Sequence, residues 1–338
     1  MEIDPRQPRV AAIVVNWNGG DDTVDCLASL AVSRPGLWRV YVVDNASTDD
    51  SVDRIRAVPG GASLIRSDRN RGYAGGFNLG RARALADGAE YLWLLNNDVV
   101  VASDALTRLL GADRLERPAI LAPLIIRRGT SPPALPDVGR GPESNLDASG
   151  GTAIWSGGGY LDWRLKSYHL ASEAIGPEVF DVTWASGCSL FCSAQTARLV
   201  GPMGERYFLY LEDVDWCLRA RARGVPTRVV PGARVYHGVS RSAERLGSPL
   251  VWYYSWRNYY LLAREHGTWW QHAYAAGDLG SRFLKICARR LFFPTYRRDP
   301  LYRARTHGLL DVVRGRFGEG RLVDPPGDDL ARLSAGAP

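Results

Sequence analysis

The stretch Leu-Leu-Asn-Asn-Asp-Val-Val (94–100) decides the fold prediction, because an apolar run over 91–95 ends abruptly at two amides and a carboxylate. Side chains alternate across a strand, so Asn96 and Asp98 are expected to share one face at the strand's end. A carboxylate at the carboxyl end of a buried strand is well placed to hold a divalent cation, which prefers oxygen ligands. The alternative is a polar turn that merely caps a core strand. This stretch alone does not separate the two interpretations.

Apolar strands alternate with helices through the first hundred residues. Strands are predicted over 10–15, 40–43, 62–65 and 91–95, and helices over 21–30, 49–55 and 81–86. This alternation predicts an α/β protein with a parallel sheet that is covered by helices on both faces. Ligands bind at the carboxyl ends of the strands in such sheets. Asn16, Asp44 and Asp98 all follow those ends, so we expect them near a ligand.

Asp44 directly follows a predicted buried strand. Its carboxylate could accept hydrogen bonds from a ribose or from a base N–H group. The alternative role is to cap the N-terminus of the next helix, which Asp does well. Ser47 and Asp49 could cap that helix equally well, which leaves Asp44 available for a ligand.

A glycine-rich stretch, 70–80, is predicted to be a turn before the helix at 81. It lacks the Gly-x-Gly-x-x-Gly spacing and follows the third strand rather than the first, so the dinucleotide-binding fingerprint is excluded. Its glycines would let the backbone approach a nucleotide at a helix N-terminus. Tight packing of the turn is the alternative, and glycines alone do not distinguish the two.

Glu212, Asp213 and Asp215 lie at the start of a predicted helix, after an apolar segment, 207–211, that we predict to be a strand. Three acids here could merely complement the helix dipole, but a carboxylate at the edge of a cleft is also a natural general base. Close like charges would raise the pKa of at least one carboxyl group. His237, at the end of a late strand over 229–235, is either a metal ligand or a structural histidine.

Composition predicts a globular, cytoplasmic protein, with 46% hydrophobic and 23% charged residues. The five cysteines are scattered without a Cys-x-x-Cys pair, which argues against a disulfide framework or a zinc site and favours a reducing compartment. The chain shows no apolar segment of signal-peptide length and no run of about eighteen apolar residues, so no membrane span is expected. We place a domain boundary near residue 240, before an aromatic, basic and helical region, 241–338.

The basic charge is concentrated in that C-terminal region. Between 281 and 306, eight basic side chains against one acid give a net charge of +7, whereas the whole chain carries +6. With nearby tryptophans and an apolar stripe, this composition is typical of a helix that lies on an anionic membrane surface. The alternative is a helix docked on the main domain with its basic face in solvent. Nucleic-acid binding is not predicted, because no recognised reading module accompanies the charge.

In their order and spacing, the motifs resemble those of the inverting family-two glycosyltransferases of the GT-A fold, specifically the bacterial rhamnosyltransferase-like branch. The resemblance covers most of the chain. It rests on Val-Val-Asn-Trp-Asn-Gly (14–19), Val-Val-Asp-Asn-Ala-Ser (42–47), Asn-x-Gly-x-Ala-Gly-Gly-Phe-Asn (70–78), Leu-Leu-Asn-Asn-Asp (94–98), Ser-Gly-Cys (186–188), Leu-Glu-Asp-Val-Asp (211–215), Tyr-His (236–237) and Arg-Asn (257–258).

The resemblance implies a GT-A three-layer sandwich with a mostly parallel central sheet, over 1–240, followed by the helical region. It also implies roles for individual residues. Asp98, in the place of the family's Asp-x-Asp motif, would hold Mg²⁺ or Mn²⁺ together with His237. Asp213 would be the catalytic base, with Glu212 as the close alternative. The donor would contact Asn16, Asp44, Asn45, Asn70, Gly72, Gly75, Asn78 and Asn97, and the acceptor side would be lined by Trp184, Ser186, Gly187 and Cys188.

The function implied is transfer of a sugar, L-rhamnose from dTDP-rhamnose, to a hydroxyl of a glycan or a lipid-linked acceptor in polysaccharide or cell-wall biosynthesis. A UDP-hexose or UDP-galactofuranose donor is the alternative within the same chemistry. A non-catalytic protein that binds nucleotide sugars or glycans is the alternative from another class. Peripheral attachment to an anionic membrane and assembly into a homo-oligomer are both compatible with this interpretation.

Overall fold

The computed structural model describes residues 7–33, 37–115, 118–128, 154–170, 174–238 and 249–320. The chain divides into two compact units. The first comprises Met1–Glu205 and Glu212–Ser242, and the second comprises Arg206–Leu211 and Ala243–Pro338. The domain boundary predicted near residue 240 lies outside the described residues and stays a prediction.

The first unit is built on one large mixed sheet with the strand order β10-β12-β6-β11-β4-β1-β2-β3. The strands are β1 (Val10–Asn16), β2 (Arg39–Asp44), β3 (Ser63–Arg66), β4 (Tyr91–Asn96), β5 (Val99–Val101), β6 (Ile120–Arg127), β7 (Ile154–Ser156), β8 (Gly159–Leu161), β9 (Ser167–His169), β10 (Phe180–Val182), β11 (Ser189–Ser193) and β12 (Thr227–His237). The strands β3, β2, β1, β4, β6 and β12 run in one direction, and β11 lies antiparallel between β4 and β6. The hairpin β8–β9 is separate from this sheet.

The helices found among the described residues of the first unit cover the two faces of the sheet: α1 (Gly20–Ala31), α2 (Ser51–Arg56), α3 (Gly72–Ala86), α4 (Ala105–Leu115), α5 (Ala194–Val200) and α6 (Glu212–Arg221). The side chains of β1 alternate between two cores. One core, on the face covered by α1 and α4, contains Val10, Ala12 and Val14. The other core, on the face covered by α3, α5 and α6, contains Ala11, Ile13 and Val15. A continuous apolar strand buried on both faces is the pattern of a covered parallel strand. The predicted three-layer α/β architecture is confirmed.

The glycine-rich stretch forms the first half of α3, so the predicted turn over 70–80 is wrong beyond Arg71. A Cβ atom on Gly76 would lie 2.7 Å from Cγ1 of Val15, and one on Gly80 would lie 2.4 Å from Cγ2 of Ile13. These glycines are therefore required because α3 packs closely against β1. Each glycine costs a helix about 1 kcal/mol relative to alanine, a cost that burial of the helix against the sheet offsets.

The second unit contains the helices α7 (Pro249–His266), α8 (Trp269–Phe292), α9 (Thr295–Arg298) and α10 (Pro300–Val313). A capping box starts α8, in which Thr268 accepts a hydrogen bond from the Gln271 N–H group and Gln271 reaches back. The helical prediction for this region is confirmed. No helix within the described ranges is long and apolar enough to cross a membrane.

The segment 207–211, predicted to be a strand, is an irregular loop of the second unit. Phe208, Tyr210 and Leu211 have left-handed backbone conformations, with φ of 65°, 69° and 69°. Such angles are uncommon for residues other than glycine and cost of order 1–3 kcal/mol each unless the surroundings enforce them. The apolar composition that suggested a strand reflects burial of this loop, in which Phe208 stacks on Tyr254 with ring centroids 5.3 Å apart.

Two fully buried polar residues of α7 enforce this loop conformation. Nδ2 of Asn258 lies 2.8 Å from each of the carbonyl oxygens of Tyr207, Leu209 and Tyr210. Nη2 of Arg257 donates to the Tyr207 carbonyl at 3.1 Å. The Arg-Asn motif (257–258) therefore stabilises the backbone that leads directly into Glu212.

The close contact between α3 and β1 generates a stability prediction. Gly80→Ala should lower the free energy of unfolding by about 1–3 kcal/mol, because the added methyl overlaps Ile13. Gly111→Ala in α4 is the matched control, since among the described residues no atom outside the neighbouring helix backbone lies within 4 Å of its Cβ position. It should raise the free energy of unfolding by about 0.5–1 kcal/mol through helix propensity. Urea unfolding measures both, and equal effects of the two substitutions would contradict the packing argument.

Candidate active site

Several of the predicted site residues meet at one edge of the sheet. Because β1, β2, β4 and β12 run in the same direction, their last residues, Asn16, Asp44, Asn96 and His237, lie at the same edge. The antiparallel β11 begins at that edge, directly after the segment 186–188. In open α/β sheets this edge is where ligands bind.

Asn16 is fully buried and connects three of the segments at this edge. Its Nδ2 donates to Oδ1 of Asp44 at 3.2 Å and to Oγ of Ser47 at 3.0 Å. Its Oδ1 accepts from Oγ1 of Thr23 at 2.9 Å and from Nδ2 of Asn97 at 3.4 Å. Because both ends of the amide are engaged, the geometry supports a positioning role for Asn16. Direct contact of Asn16 with a donor stays a prediction.

Asp44 has one carboxylate oxygen that the structure leaves for a ligand. Its Oδ1 accepts from Asn16, whereas Oδ2 is buried and makes no hydrogen bond within the described residues. The nearest cation is Arg66, whose Nε lies 3.7 Å from Oδ2. The capping alternative fails because α2 begins after Asp50. A buried acceptor without a donor is costly, and a ligand N–H or O–H group would satisfy it.

Asn45 and Asn70 connect the end of β2 to the start of α3. Nδ2 of Asn45 donates to Oδ1 of Asn70 and to the carbonyl of Gly72, both at 2.9 Å, and its Oδ1 accepts from the N–H group of Arg71 at 2.9 Å. Gly72 has φ of 69°, a conformation that favours glycine. These contacts set the direction in which α3 leaves the edge. Direct contacts of these residues with a donor stay predictions.

Gly75 and Asn78 lie further along α3. A Cβ atom on Gly75 would lie 2.5 Å from Cβ of Arg71, so the glycine serves close packing inside the helix's own first turn. Both ends of the Asn78 amide bond to the backbone of Met203, at 2.9 Å and 2.8 Å. The structure gives both residues packing contacts, and their proposed contact with a donor stays a prediction.

The strand β4 ends at Asn96, so the expectation that Asn96 and Asp98 share a strand face is wrong. Asn97 and Asp98 form a turn into β5, which pairs antiparallel with β12. This turn sends the two side chains to different partners. Nδ2 of Asn97 donates to the Gly19 carbonyl at 3.2 Å, which anchors the turn on the start of α1.

Asp98 meets His237 at the end of β12. Oδ1 of Asp98 lies 3.1 Å from Nε2 of the nearly buried His237. Neither ring nitrogen of His237 makes a well-directed hydrogen bond within the described residues. The other side of the imidazole packs on Trp155, with ring centroids 4.7 Å apart. The histidine is therefore held in place by packing while a nitrogen faces a carboxylate.

This pair fits a divalent cation. Neighbouring ligands of an octahedral ion with bonds of about 2.1 Å lie about 3.0 Å apart, which matches the 3.1 Å between Oδ1 of Asp98 and Nε2 of His237. A carboxylate oxygen and a neutral imidazole nitrogen both suit Mn²⁺, and the carboxylate suits Mg²⁺. Both ring nitrogens of His237 are buried without a well-directed hydrogen bond among the described residues, and a bound ion would stabilise such an arrangement.

Asp213 is held at the start of α6 by two backbone donors. The Gly187 N–H group donates to Oδ2 at 2.8 Å, and the Val214 N–H group donates to Oδ1 at 2.8 Å. Burial raises the pKa of Asp213, while these hydrogen bonds favour the ionised form and oppose part of that increase. The segment 186–188, predicted to lie on the acceptor side, thus orients this carboxylate.

Glu212 has a different environment from its neighbour. It is buried, and its Oε2 makes no hydrogen bond within the described part of the chain. Burial, and secondly the charge of Asp213, raises the pKa of Glu212 well above its ordinary value. The surroundings of the two adjacent carboxyl groups therefore differ: backbone hydrogen bonds from Gly187 and Val214 oppose the increase in the pKa of Asp213, whereas the charge of Asp213 adds to the increase in the pKa of Glu212.

Tyr73 and Cys188 pack beside these carboxylates. The hydroxyl of Tyr73 donates to the Gly187 carbonyl through a short contact. The thiol of Cys188 is buried, and burial with the charges of Asp98 and Asp213 raises its pKa well above the ordinary value. Cys188 is therefore a neutral packing residue within electrostatic reach of Asp98 and Asp213.

Trp184 and Ser186 complete the side predicted to face the acceptor. Nε1 of Trp184 donates to the Tyr160 carbonyl at 3.2 Å, so the ring is anchored on the hairpin β8–β9. Trp184 also packs edge-on against His169, with ring centroids 5.0 Å apart. Oγ of Ser186 accepts from the Cys188 N–H group at 3.3 Å. Contact of these residues with an acceptor stays a prediction.

Sequence reasoning missed four residues that the structure places in this network: Thr23, Ser47, Arg66 and Tyr73. Ser47 is one of two residues that the sequence offers as a cap of the next helix, but its hydroxyl accepts from Asn16. None of the four carries a local signal for this role, because their partners lie on other segments of the fold. Only the tertiary structure identifies them.

Comparison with known proteins identifies the family. A family model described as Glycosyl transferase family 2 matches residues 11–154. The N-acetylglucosaminyl-diphospho-decaprenol L-rhamnosyltransferase of Mycobacterium tuberculosis is 28% identical over 270 residues, which cover 77% of this chain and 85% of that protein. The dTDP-rhamnosyl transferase RfbF of Shigella flexneri is 25% identical over 291 residues, 83% of this chain and 88% of that protein. The galactofuranosyltransferase GlfT1 of Mycobacterium tuberculosis is 28% identical over 221 residues, 64% of this chain and 66% of that protein.

Solved structures share the fold. The mannosyltransferase PcManGT from Pyrobaculum calidifontis, in complex with GDP-Man and Mn²⁺, superposes with a TM-score of 0.52 at 14% identity, covering 92% of this chain and 88% of that one. GalNAc-T7 with UDP, GalNAc and Mn²⁺ gives a TM-score of 0.53 at 17% identity, covering 68% of this chain but less than half, 43%, of that chain. The resemblance drawn from the motifs is confirmed. The chain carries a glycosyl transferase family 2 domain over residues 11–154 and is a nucleotide-sugar-dependent glycosyltransferase of the GT-A fold.

Proposed function

We propose that the protein transfers L-rhamnose from dTDP-rhamnose to a hydroxyl group of a glycan or lipid-linked acceptor, with inversion at the anomeric carbon. The observation that carries this proposal is the placement of Asp213, held by the Gly187 N–H group, at the same sheet edge as the Asp98–His237 pair. The similarity to two rhamnosyl transferases supports the choice of sugar and nucleotide.

The donor's nucleoside would bind at the ends of β1 and β2. Oδ2 of Asp44, buried and without a hydrogen bond among the described residues, would accept from the base or the ribose. Arg66, half-exposed beside it, would contact the same part of the nucleotide. Asn16, Asn45 and Asn97 would hold these segments in place through their buried or partly buried amides.

Asp98 and His237 would hold the divalent cation, Mg²⁺ or Mn²⁺. When bound, such an ion offsets negative charge that develops on the departing diphosphate. His237 ends β12, and Asp98 lies in the turn between β4 and β5. The strand β5 pairs with β12. Strand pairing therefore sets the distance between the two ligand atoms.

Asp213 would act as general base. Its carboxylate would take the proton from the acceptor hydroxyl, whose oxygen then attacks the anomeric carbon from the face opposite the leaving diphosphate. The hydrogen bonds from Gly187 and Val214 keep the carboxylate oriented for this step. One carboxylate suffices, since no glycosyl-enzyme intermediate forms, in contrast to the paired carboxyl groups of retaining hydrolases.

A UDP-galactofuranose donor is the second candidate, because the galactofuranosyltransferase GlfT1 matches over 64% of this chain. The two donors differ in the base as well as in the sugar, so comparison of dTDP with UDP separates them.

We propose that residues 1–240 form the catalytic domain. We also keep the cytoplasmic face of a membrane as the proposed location and a homo-oligomer as a proposed assembly.

The base assignment predicts a pH dependence. The release of dTDP from dTDP-rhamnose should rise with pH through a pKa above the ordinary aspartate value, because burial raises the pKa of Asp213 and only the ionised form accepts a proton. Asp213→Asn should lower this release by at least about a hundredfold, the usual scale of general-base catalysis, while dTDP affinity measured by calorimetry stays within about twofold. Unchanged turnover in this variant would exclude Asp213 as the base.

The environment of Glu212 predicts a stability effect. A carboxyl group whose pKa is raised on folding contributes stability below its ordinary pKa of 4.5 and loses it as pH rises towards the folded-state pKa. The free energy of unfolding of Glu212→Gln should therefore increase relative to that of the parent protein as the pH rises, by up to about 1.4 kcal/mol per pH unit. Urea unfolding at pH 5, 7 and 8.5 measures this, with the exposed Asp53→Asn as control. If the free energies of unfolding of the parent and of Glu212→Gln changed in parallel with pH, the raised pKa of Glu212 would be contradicted.

Donor and metal are tested together by calorimetric titration of dTDP and UDP with and without Mn²⁺. Tighter binding of dTDP than UDP, strengthened by the ion, is expected. Asp98→Asn and His237→Gln should each remove most of the strengthening by Mn²⁺, because each deletes one ligand. Equal affinity with and without Mn²⁺ would refute the metal site, and preference for UDP would favour the second donor.

A further inference from the structure

A basic pocket lies within the second unit, among α7, α8 and α10. Its volume is about 290 Å³. Four cationic side chains contribute to its lining: Arg282, Lys285, Arg289 and Arg305. None of the residues assigned above to the donor, the metal or the base lines it, so it is a separate feature of the chain.

The positive charge of the pocket exceeds its negative charge. Asp278 is the acid of its lining and accepts from Nε of Arg282 at 3.0 Å. Arg289 donates to the neutral hydroxyl of Tyr302 at 2.6 Å, which orients the guanidinium group without neutralising it. Lys285 and Arg305 add two further charges. An excess of cations around a concave space attracts an anion.

Ring stacking holds Arg305 in the lining of the pocket. Its guanidinium carbon lies 4.0 Å from the centroid of the Trp252 ring and 5.4 Å from that of Trp256. Stacking occupies the faces of the guanidinium group and leaves the N–H groups at its edge for hydrogen bonds. Nε of Arg305 is buried and makes no hydrogen bond within the described residues. A guanidinium group held by ring stacking in the lining of a pocket contributes a fixed positive charge, which favours an anionic ligand.

Phosphate fits this pocket better than other anions. Its tetrahedral oxygens accept hydrogen bonds from several directions, and Arg and Lys side chains are its usual partners. The lining has three more positive than negative charges. This excess balances the charge of a phosphate monoester or a diphosphate better than that of a single carboxylate. A nucleic-acid strand would need a groove with exposed aromatic rings along it, whereas these charges converge on one cavity.

We propose that the pocket formed by Arg282, Lys285, Arg289 and Arg305 binds a phosphate or diphosphate group. The ligand's phosphate comes either from a lipid headgroup or from a free phosphorylated compound. The helix α8 also exposes Leu284 and Leu291, which are 70% and 66% accessible, but at 100° per residue they lie on the side of the helix away from the basic residues. A lipid surface would therefore reach the pocket through its phosphate groups.

Calorimetry of the full chain with inorganic pyrophosphate, without metal, tests the pocket. Lys285→Gln/Arg289→Gln should weaken binding by about tenfold or more, because it removes two charge-assisted contacts. Arg303→Gln/Arg314→Gln removes the same charge from exposed positions of α10 and the residue after it, and it should leave the affinity nearly unchanged. Pyrophosphate bound at the proposed donor site would not respond to either double variant, so failure of one proposal is distinguishable from failure of the other.

Co-sedimentation with vesicles identifies the source of the phosphate. A lipid headgroup is the source if the protein binds vesicles of phosphatidylcholine that contain phosphatidic acid but not vesicles of phosphatidylcholine alone. This binding should be lost in Lys285→Gln/Arg289→Gln and kept in Arg303→Gln/Arg314→Gln. Pocket-dependent pyrophosphate binding without vesicle binding assigns the pocket to a free phosphorylated compound. Equal losses in both double variants, or no binding of either probe, would overturn the proposal. Unchanged circular dichroism and melting temperature of the variants confirm that they fold.

Discussion

The buried amide of Asn16 is the constraint on which the arrangement of the site depends. It is inaccessible to solvent, and its hydrogen bonds join the end of β1 to Asp44, to Ser47 and to the turn that carries Asn97. A buried amide must satisfy its donors and acceptor, so these segments cannot move independently without loss of hydrogen bonds. Asp98 follows Asn97 in the same turn. The network at β1 thereby helps to set the position of Asp98, the proposed metal ligand.

The two adjacent carboxyl groups at the start of α6 illustrate how environment assigns chemistry. Asp213 receives two backbone N–H groups, whereas Glu212 is buried without a comparable donor to Oε2 within the described residues. In the loop before them, three residues other than glycine have left-handed backbone conformations. Asn258 and Arg257 stabilise that loop by donating to its carbonyl oxygens. Strain is thus maintained immediately before the proposed base, where a defined backbone matters most.

The basic C-terminal region owes its cavity to the packing of aromatic residues against arginine. The sequence shows eight cations between 281 and 306 and predicts a basic helix. It does not show that Arg305 stacks on Trp252, or that Lys285 and Arg289 join Arg282 around one cavity. Residues on α7, α8 and α10 form this pocket, and such convergence depends on how the helices pack, which periodicity along one helix does not specify.

The sequence by itself determined the alternation of strands and helices, the family, and the placement of Asn16, Asp44 and His237 at strand ends, because apolar runs and turn residues are local signals. It misjudged the 70–80 stretch, where glycines permit α3 to approach β1, and the 207–211 loop, whose apolar residues are buried without being a strand. Only the tertiary structure decided that Oδ1 of Asp98 lies 3.1 Å from Nε2 of His237, and that Gly187 rather than a helix neighbour orients Oδ2 of Asp213. The physical reason is that these contacts join residues far apart in the chain, and their geometry is set by strand pairing and core packing rather than by local propensity.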